Sequence, residues 1–414
     1  MQVSVVMVAM ALYVALRAAG VRPMLALPFA ATPWASVTYQ KFSTDMRVDY
    51  LAASFVLMAI AAVCLAMKDS RSRWLWCAGA ACILATFSKM TEIAFVVPIA
   101  CALAARQPHV RAARFAGLTL AVCVLVFGAL QWASAGHLVD NLQATITAGM
   151  RVSDLWHRAL PTFLWQLVGD PLIGAPFLLA AWSVMTAARR RTWSTTDSYF
   201  LTATLITAVI FASPGTSSNH MIELQVATAL AVAVAVEHGS LPDTLVTIVY
   251  GALVVVLVAL VLPLPWMPSP TKTLQRLGPH QRATVEEIRA EFLPPAASYL
   301  SLDPIVPVLL HQRPIVLDPF SLNLFVVNDT AAGRNLRASV RARAFATIVL
   351  DDDEGVFADD LPPGADGYEQ ATSRLVAAAQ PLVRLIAADY VICAIRHPFV
   401  ILRPRNTACG RSED

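Results

Sequence analysis

The chain has 414 residues, 57% of them hydrophobic and 14% charged, with a mean hydropathy of +0.60. Ordinary soluble globular proteins carry about 25% charged residues, so that class is excluded. The net charge of +3 is scattered over short loops instead of forming one patch, which argues against nucleic acid as a partner. Of the charged side chains, 27 fall in residues 1–263 and 32 in residues 264–414. That division predicts a mainly α protein: a polytopic transmembrane helical bundle over 1–263, then a small extracytoplasmic α/β domain over 264–414.

Apolar runs between charges predict about ten spans, since a crossing needs roughly 20 residues. They cover residues 2–16, 22–38, 50–67, 74–88, 92–105, 115–134, 160–184, 197–213, 219–236 and 243–263. The second holds Pro23, Pro28 and Pro33 and reads as a broken or re-entrant segment. Only Lys89, Met90 and Thr91 separate the fourth and fifth, which makes a hairpin at one membrane face.

Alternating spans put Arg17, Arg22, Lys68, Arg71, Arg73, Arg106, Arg111, Arg114 and Arg189 to Arg191 on one side, 11 of the 16 basic residues of this region. The positive-inside rule makes that side cytoplasmic and the tail from Leu264 external. Met1 then lies outside as well. Two expectations follow: an N-terminal span precedes this sequence, or the second segment is not a full crossing.

Beyond Pro263, the pattern becomes that of a layered sheet domain. Helices are expected at Arg282–Phe292, Arg334–Arg343 and Tyr368–Gln380. Strands are expected at Ser298–Leu302, Pro314–Leu317, Phe345–Leu350, Leu382–Ile386, Tyr390–Ala394 and Phe399–Leu402. The run Asp351 to Glu354 reads as a solvated loop, with a divalent cation as the alternative. Among the seven cysteines no pair has zinc-ligand spacing, and small apolar packing is the reading preferred for them, with a disulfide between Cys393 and Cys409 as the alternative.

Three polar clusters interrupt the apolar part. Asp45, Arg47 and Asp49 precede the third span, Lys89 and Glu92 sit at the hairpin, and Asn219, His220 and Glu223 open the ninth span. Ionisable groups at membrane depth are costly and mark function by default. Each cluster also has a plainer reading as a helix cap, a local ion pair or an inter-helix hydrogen bond. The charge-derived topology brings all three to the external side, where one water-filled chamber would satisfy them together. Walker loops, dinucleotide fingerprints, zinc-protease motifs and serine-nucleophile elbows are missing from the sequence.

Asp-Met-Arg-Val-Asp at 45–49, Phe-Ser-Lys-Met-Thr at 87–91 and Ser-Ser-Asn-His at 217–220 resemble the GT-C membrane glycosyltransferases. The branch most similar is the bacterial aminoarabinose-transferase-like and protein-mannosyltransferase-like one. Tyr299 to Pro304, Arg313-Pro314 and Asp318-Pro319-Phe320 resemble the soluble domain appended to some bacterial members.

The resemblance implies transfer of a sugar from a polyprenyl-phosphate donor to a lipid, glycan or protein acceptor at the outer face of the bacterial inner membrane. In that role Asp49 or Asp45 orients the acceptor or assists the base, Arg47 and Lys89 hold donor phosphate, and Asn219 and His220 line the sugar pocket beside Glu92 and Glu223. It implies no resident cofactor beyond the cation alternative. Members of the family carry an essential acidic residue in a first outer loop that would precede Met1, so an active enzyme and an inactive fragment are both open. A transporter and a non-catalytic scaffold with an outer binding domain stand as the alternatives.

Overall fold

The computed structural model describes residues 2–36, 48–69, 72–139, 142, 153–212, 218–239, 241–251, 279–293, 298–303, 305–312, 322, 325–327, 329–351, 381–396 and 399–407. The chain divides into two compact units. One comprises Met1–Ala135 and Met150–Pro270, the other Gly136–Gly149 and Thr271–Asp414.

The first unit is helical. Its helices are α1 Gln2–Ala19, α2 Pro23–Ala31, α3 Val48–Asp69, α4 Ser72–Ser88, α5 Val96–Ala104, α6 His109–Ala133, α7 Leu160–Gly169, α8 Pro171–Arg190, α9 Thr195–Ile210 and α10 Met221–Glu237. Among the described residues three helices are long and apolar enough to cross a membrane: Val48–Asp69, His109–Ala133 and Leu172–Arg190. Val6–Ala19 and Met90–Ala104 are shorter apolar helices.

Two of these helices show how burial sorts them. In α3, 72% of the most apolar window is buried, and Asp49 in its first turn and Lys68 in its last complement the helix dipole. In α6 only 17% of the window is buried, and Val124 and Leu125 are 69% and 71% exposed. An apolar helix with such a surface is consistent with a membrane protein. Nearly every side chain of α10 is buried, which makes it the central strut of the unit.

Gly20 ends α1 with φ of 101°, a conformation that disfavours any side chain, and Val21 N donates to Leu16 O at 3.0 Å to close the turn. From there residues 22–36 run along α10. Arg22 is paired with Glu237 at the far end of that helix, and Gln225 near its start donates to Ser36. Those anchors stand twelve positions apart on the helix, about 18 Å at 1.5 Å per residue. The broken segment expected at 22–38 is therefore a nine-residue helix continued by a 3-10 turn, Thr32–Ala35, around Pro33.

The run at 160–184, expected to be a single span, is two helices. Asp170 interrupts it: its side chain accepts from Leu172 N at 3.1 Å as an N-cap, and Pro171 takes the first helical position. Gly174 then lies so close to Leu167 that a Cβ would meet the Leu167 carbonyl oxygen at 2.2 Å. A capping box at Ser194 and Asp197 starts α9 in the same manner. The last span expected, 243–263, is helical over 243–251, and the rest lies outside the described residues.

The second unit carries a four-stranded sheet in the order β1-β2-β4-β3, made of β1 Tyr299–Ser301, β2 Thr347–Asp351, β3 Tyr390–Arg396 and β4 Phe399–Pro404. β1 and β2 are parallel, and the other pairings are antiparallel. Alternation along the strands builds two cores. Ile348, Leu350, Val400 and Leu402 face one way, packed with Val340 of α13 Ala331–Arg341 and Leu382 and Ile386 of α14 Pro381–Asp389. Val349, Phe399 and Ile401 face the other, against Val285 and Ile288 of α11 Pro279–Phe292 and Val306 of α12 Ile305–Leu309.

Here α14 replaces the strand expected at Leu382–Ile386. A short apolar run satisfies either period. Pro381 at its start and the four-residue spacing of buried Leu382 and Ile386 decide for helix. The strand expected at Pro314–Leu317 and the helix at Tyr368–Gln380 lie outside the described residues. At Cys393 the β3–β4 register slips by one, and this bulged residue is disulfide-bonded, whereas Cys64, Cys77, Cys82, Cys101 and Cys123 of the helical unit are free.

Candidate functional site

Four chain segments deliver polar side chains to one end of the helical unit. Asp49 enters from the first turn of α3 and is 7% exposed. Lys89 follows the last residue of α4, in extended conformation, and turns the chain into the 3-10 segment Met90–Phe95 that carries Glu92. Asn219 and His220 form a 3-10 turn that leads into α10, whose first turn holds Glu223. Tyr199 comes from α9.

The bonds between them form a chain. Lys89 Nζ donates to Asp49 Oδ1 at 2.8 Å, and Asn219 Nδ2 donates to Asp49 Oδ2 at 3.0 Å. Both carboxylate oxygens of Asp49 are thus held by donors from segments 40 and 170 residues away. Lys89 Nζ also lies 3.8 Å from Glu92 Oε1, which accepts from Thr91 Oγ1 at 3.3 Å. Tyr199 OH donates to Glu223 Oε1, and its ring meets Phe95 edge-on with centroids 5.3 Å apart.

Electrostatics ties the halves together. Glu223 lies near enough to Glu92, Lys89 and Asp49 for their charges to act on it. Three carboxyl groups therefore surround one ammonium in a space where Asp49, Glu92, Asn219 and Glu223 are all buried. A buried charge without compensation is among the most costly features a fold can keep, so the arrangement calls for exact partners. Glu92 Oε2 has no hydrogen-bond partner among the described residues.

Six of the eight residues singled out in the sequence, Asp49, Lys89, Glu92, Asn219, His220 and Glu223, are accordingly brought to one place. Asp45 and Arg47 lie outside the described residues. Lys89 pairs with its neighbour Glu92 as its spacing suggested, but its shorter bond is to Asp49. Asn219 and Glu223 meet different partners, Asp49 and Tyr199. Tyr199 escaped the sequence reading because it sits inside an apolar run. A buried phenol needs a partner for its hydroxyl, and that requirement was the available signal.

Chemically, the cluster can fix an acidic group against a cation, orient hydroxyl-bearing ligands through Asn219 and the carboxyls, and offer Lys89 to an anion. An ammonium has three donors; Asp49 takes one of those on Lys89, and Glu92 Oε1 at 3.8 Å pairs with the charge beyond hydrogen-bond length. Among the described residues no group of three or more His, Cys, Asp and Glu is arranged to hold a metal ion. Of the acidic run 351–354, only Asp351 at the end of β2 is described. Comparison of the chain with protein-family models, with curated proteins and with solved structures finds no match.

Proposed function

We propose that this chain is an integral membrane glycosyltransferase that moves a sugar from a polyprenyl-phosphate donor to a lipid, glycan or protein acceptor at the extracytoplasmic face of a bacterial inner membrane. About ten crossings and an external C-terminal domain belong to the same reading. The observation that carries it is the convergence on Asp49 of Lys89 and Asn219, with Glu92 beside them. Asp49, Lys89 and Asn219 belong to the motifs that resemble the GT-C enzymes, and Glu92 follows the second of them directly.

Transfer of this kind asks the protein for position and charge. The donor phosphate leaves with the electron pair of its bond to the anomeric carbon, and a cation lowers the cost of that departure. A donor of Lys89 other than the one held by Asp49 suits the phosphate, and Arg47 is the second cation of the proposed site. Asp49 keeps Lys89 and Asn219 in register, and Asn219, His220 and Glu223 line the space for the sugar.

The cysteines support the orientation. A disulfide persists in an oxidising compartment, and Cys393 of the sheet unit is disulfide-bonded while five cysteines of the helical unit are free thiols. That division suits a sheet unit outside the cytoplasm.

Membrane vesicles enriched in the protein, supplied with radiolabelled undecaprenyl-phosphate pentoses and hexoses, test the proposal. Protein-dependent loss of sugar from one donor is expected, reduced at subsaturating donor by Asp49→Asn, which loosens the hold on Lys89 and Asn219. Equal loss from every donor in vesicles without the protein refutes it.

A further inference from the structure

The geometry points to Glu92, and not Asp49, as the carboxylate of this cluster that meets the ligand's hydroxyl group. The inference rests on the glycosyl-transfer reading for its chemistry, though not for its geometry. Both oxygens of Asp49 are already engaged: Oδ1 takes the Lys89 ammonium and Oδ2 the Asn219 amide. Protonating Asp49 would remove the charge that holds the Lys89 ammonium and weaken both bonds. Asp49 is therefore a positioning residue, whose two donors arrive from the ends of α4 and the 3-10 turn before α10.

Glu92 is built differently. Its Oε1 is anchored by Thr91 at 3.3 Å and Lys89 at 3.8 Å, whereas Oε2 is without a partner among the described residues. The side chain is 2% exposed, so water does not take the place of that partner from outside. Leaving a buried acceptor unsatisfied costs about 1–3 kcal/mol, and such a position persists where a ligand supplies the donor. An acceptor that already lies beside Lys89 is also beside the cation that would hold the donor phosphate.

In the reaction, the acceptor's oxygen forms its bond to the anomeric carbon as the bond from that carbon to the phosphate oxygen breaks. The polyprenyl phosphate leaves with the electron pair, and the hydroxyl proton passes to Glu92 Oε2. Release of that proton to water or to the departing phosphate restores the carboxylate. Lys89, held by Asp49, lies within reach of both Glu92 and the leaving group, which explains why a lysine takes this position.

Two measurements on the full-length protein decide the matter. With the donor found in the vesicle assay, Glu92→Gln is expected to lower kcat about 100-fold or more with KM changed less than about threefold. Asp49→Asn is expected to raise KM and to leave part of kcat. Glu92→Gln that keeps kcat within tenfold overturns the inference and leaves the glycosyltransferase reading standing.

The second measurement needs no sugar. Dicyclohexylcarbodiimide, which adds a carboxyl O–H across its C=N bond to give an O-acylisourea that rearranges to a stable N-acylurea, is expected to modify Glu92 and spare Asp49, as mapped by mass spectrometry in purified protein. Modification of Asp49, or none at Glu92, overturns the inference. If wild-type protein consumes no donor, the glycosyltransferase reading falls, and the labelling alone judges Glu92 as the open acceptor.

Discussion

Two ion pairs of nearly equal length mark the helical unit and have opposite meanings. Lys89 meets Asp49 at 2.8 Å with side chains 14% and 7% exposed; Arg22 meets Glu237 at 2.9 Å with Arg22 70% exposed. The second is a pair at the surface in which the Arg22 guanidinium keeps much of its hydration, although Glu237 is 13% exposed. The first has surrendered that hydration and survives because Asn219, Thr91 and Glu92 complete the coordination. Distance alone does not distinguish them; desolvation does. A protein keeps a costly buried pair for a reason other than stability, and the neighbouring cluster of carboxyls is that reason in the function proposed above.

The largest expected effect follows from removing one partner of the buried pair. Lys89→Met leaves Asp49 buried against a single amide donor and should lower stability by about 3–5 kcal/mol. Thermal unfolding in detergent measures it. A loss below about 1 kcal/mol would mean that water reaches the pair and that the contrast with Arg22 is false.

Tyr199→Phe sharpens the same contrast. It removes the hydroxyl that donates to Glu223 while keeping the ring against Phe95. The expected cost is about 1–3 kcal/mol, because the carboxyl stays buried with one donor fewer. Glu223→Gln added to Tyr199→Phe should recover part of that loss, and a double-mutant cycle reads the coupling.

A tyrosine in the sheet unit provides the contrast with a neutral network. Tyr390 OH donates to Phe345 O at 3.0 Å and accepts from Phe345 N at 3.3 Å, and burial raises its phenol above the ordinary value. A raised value means that the contribution is present below the ordinary phenol range of about 10 and is lost as pH climbs through the folded-state value. Alkaline unfolding followed by circular dichroism should therefore begin earlier in wild type than in Tyr390→Phe, relative to each protein's stability at neutral pH. Phe should cost about 1 kcal/mol there. Parallel alkaline curves would remove Tyr390 from the account.

Much of the site was legible because ions interrupting apolar sequence are conspicuous. Asp49, Lys89 and Asn219 each stand at a helix end, and the basic loops placed them on a common side before any coordinates. What stayed hidden were partners that look apolar or neutral. Tyr199 reads as one more residue of a span, and the bond from Gln225 to Ser36 joins positions 189 apart with no charge to announce it. Element identity failed where length was short. Leu382–Ile386 fits both periods, and the break at Asp170-Pro171 was a visible capping signal inside an apolar run long enough to mask it.

At the basic end, backbone geometry should outweigh the ion pair. Gly20 has φ of 101°, and a Cβ there would sit 3.7 Å from Lys68 Nζ and 3.9 Å from His238 Cε1, so space is adequate and the cost is conformational. Gly20→Ala should lower stability by about 1–2 kcal/mol through the left-handed backbone alone. By comparison, Arg22→Ala removes the hydrogen bond from Nε to Glu237 at 3.2 Å and keeps the one from the backbone N at 3.1 Å. With the guanidinium mostly in water, the loss should stay below about 1 kcal/mol. Salt gives the decisive reading: at 1 M the screening length is about 3 Å, so the difference between wild type and Arg22→Ala should vanish, whereas the loss from Lys89→Met should persist. If both losses faded together, the pair at Asp49 would be as wet as the pair at Glu237, and a buried site at that end of the bundle would no longer be tenable.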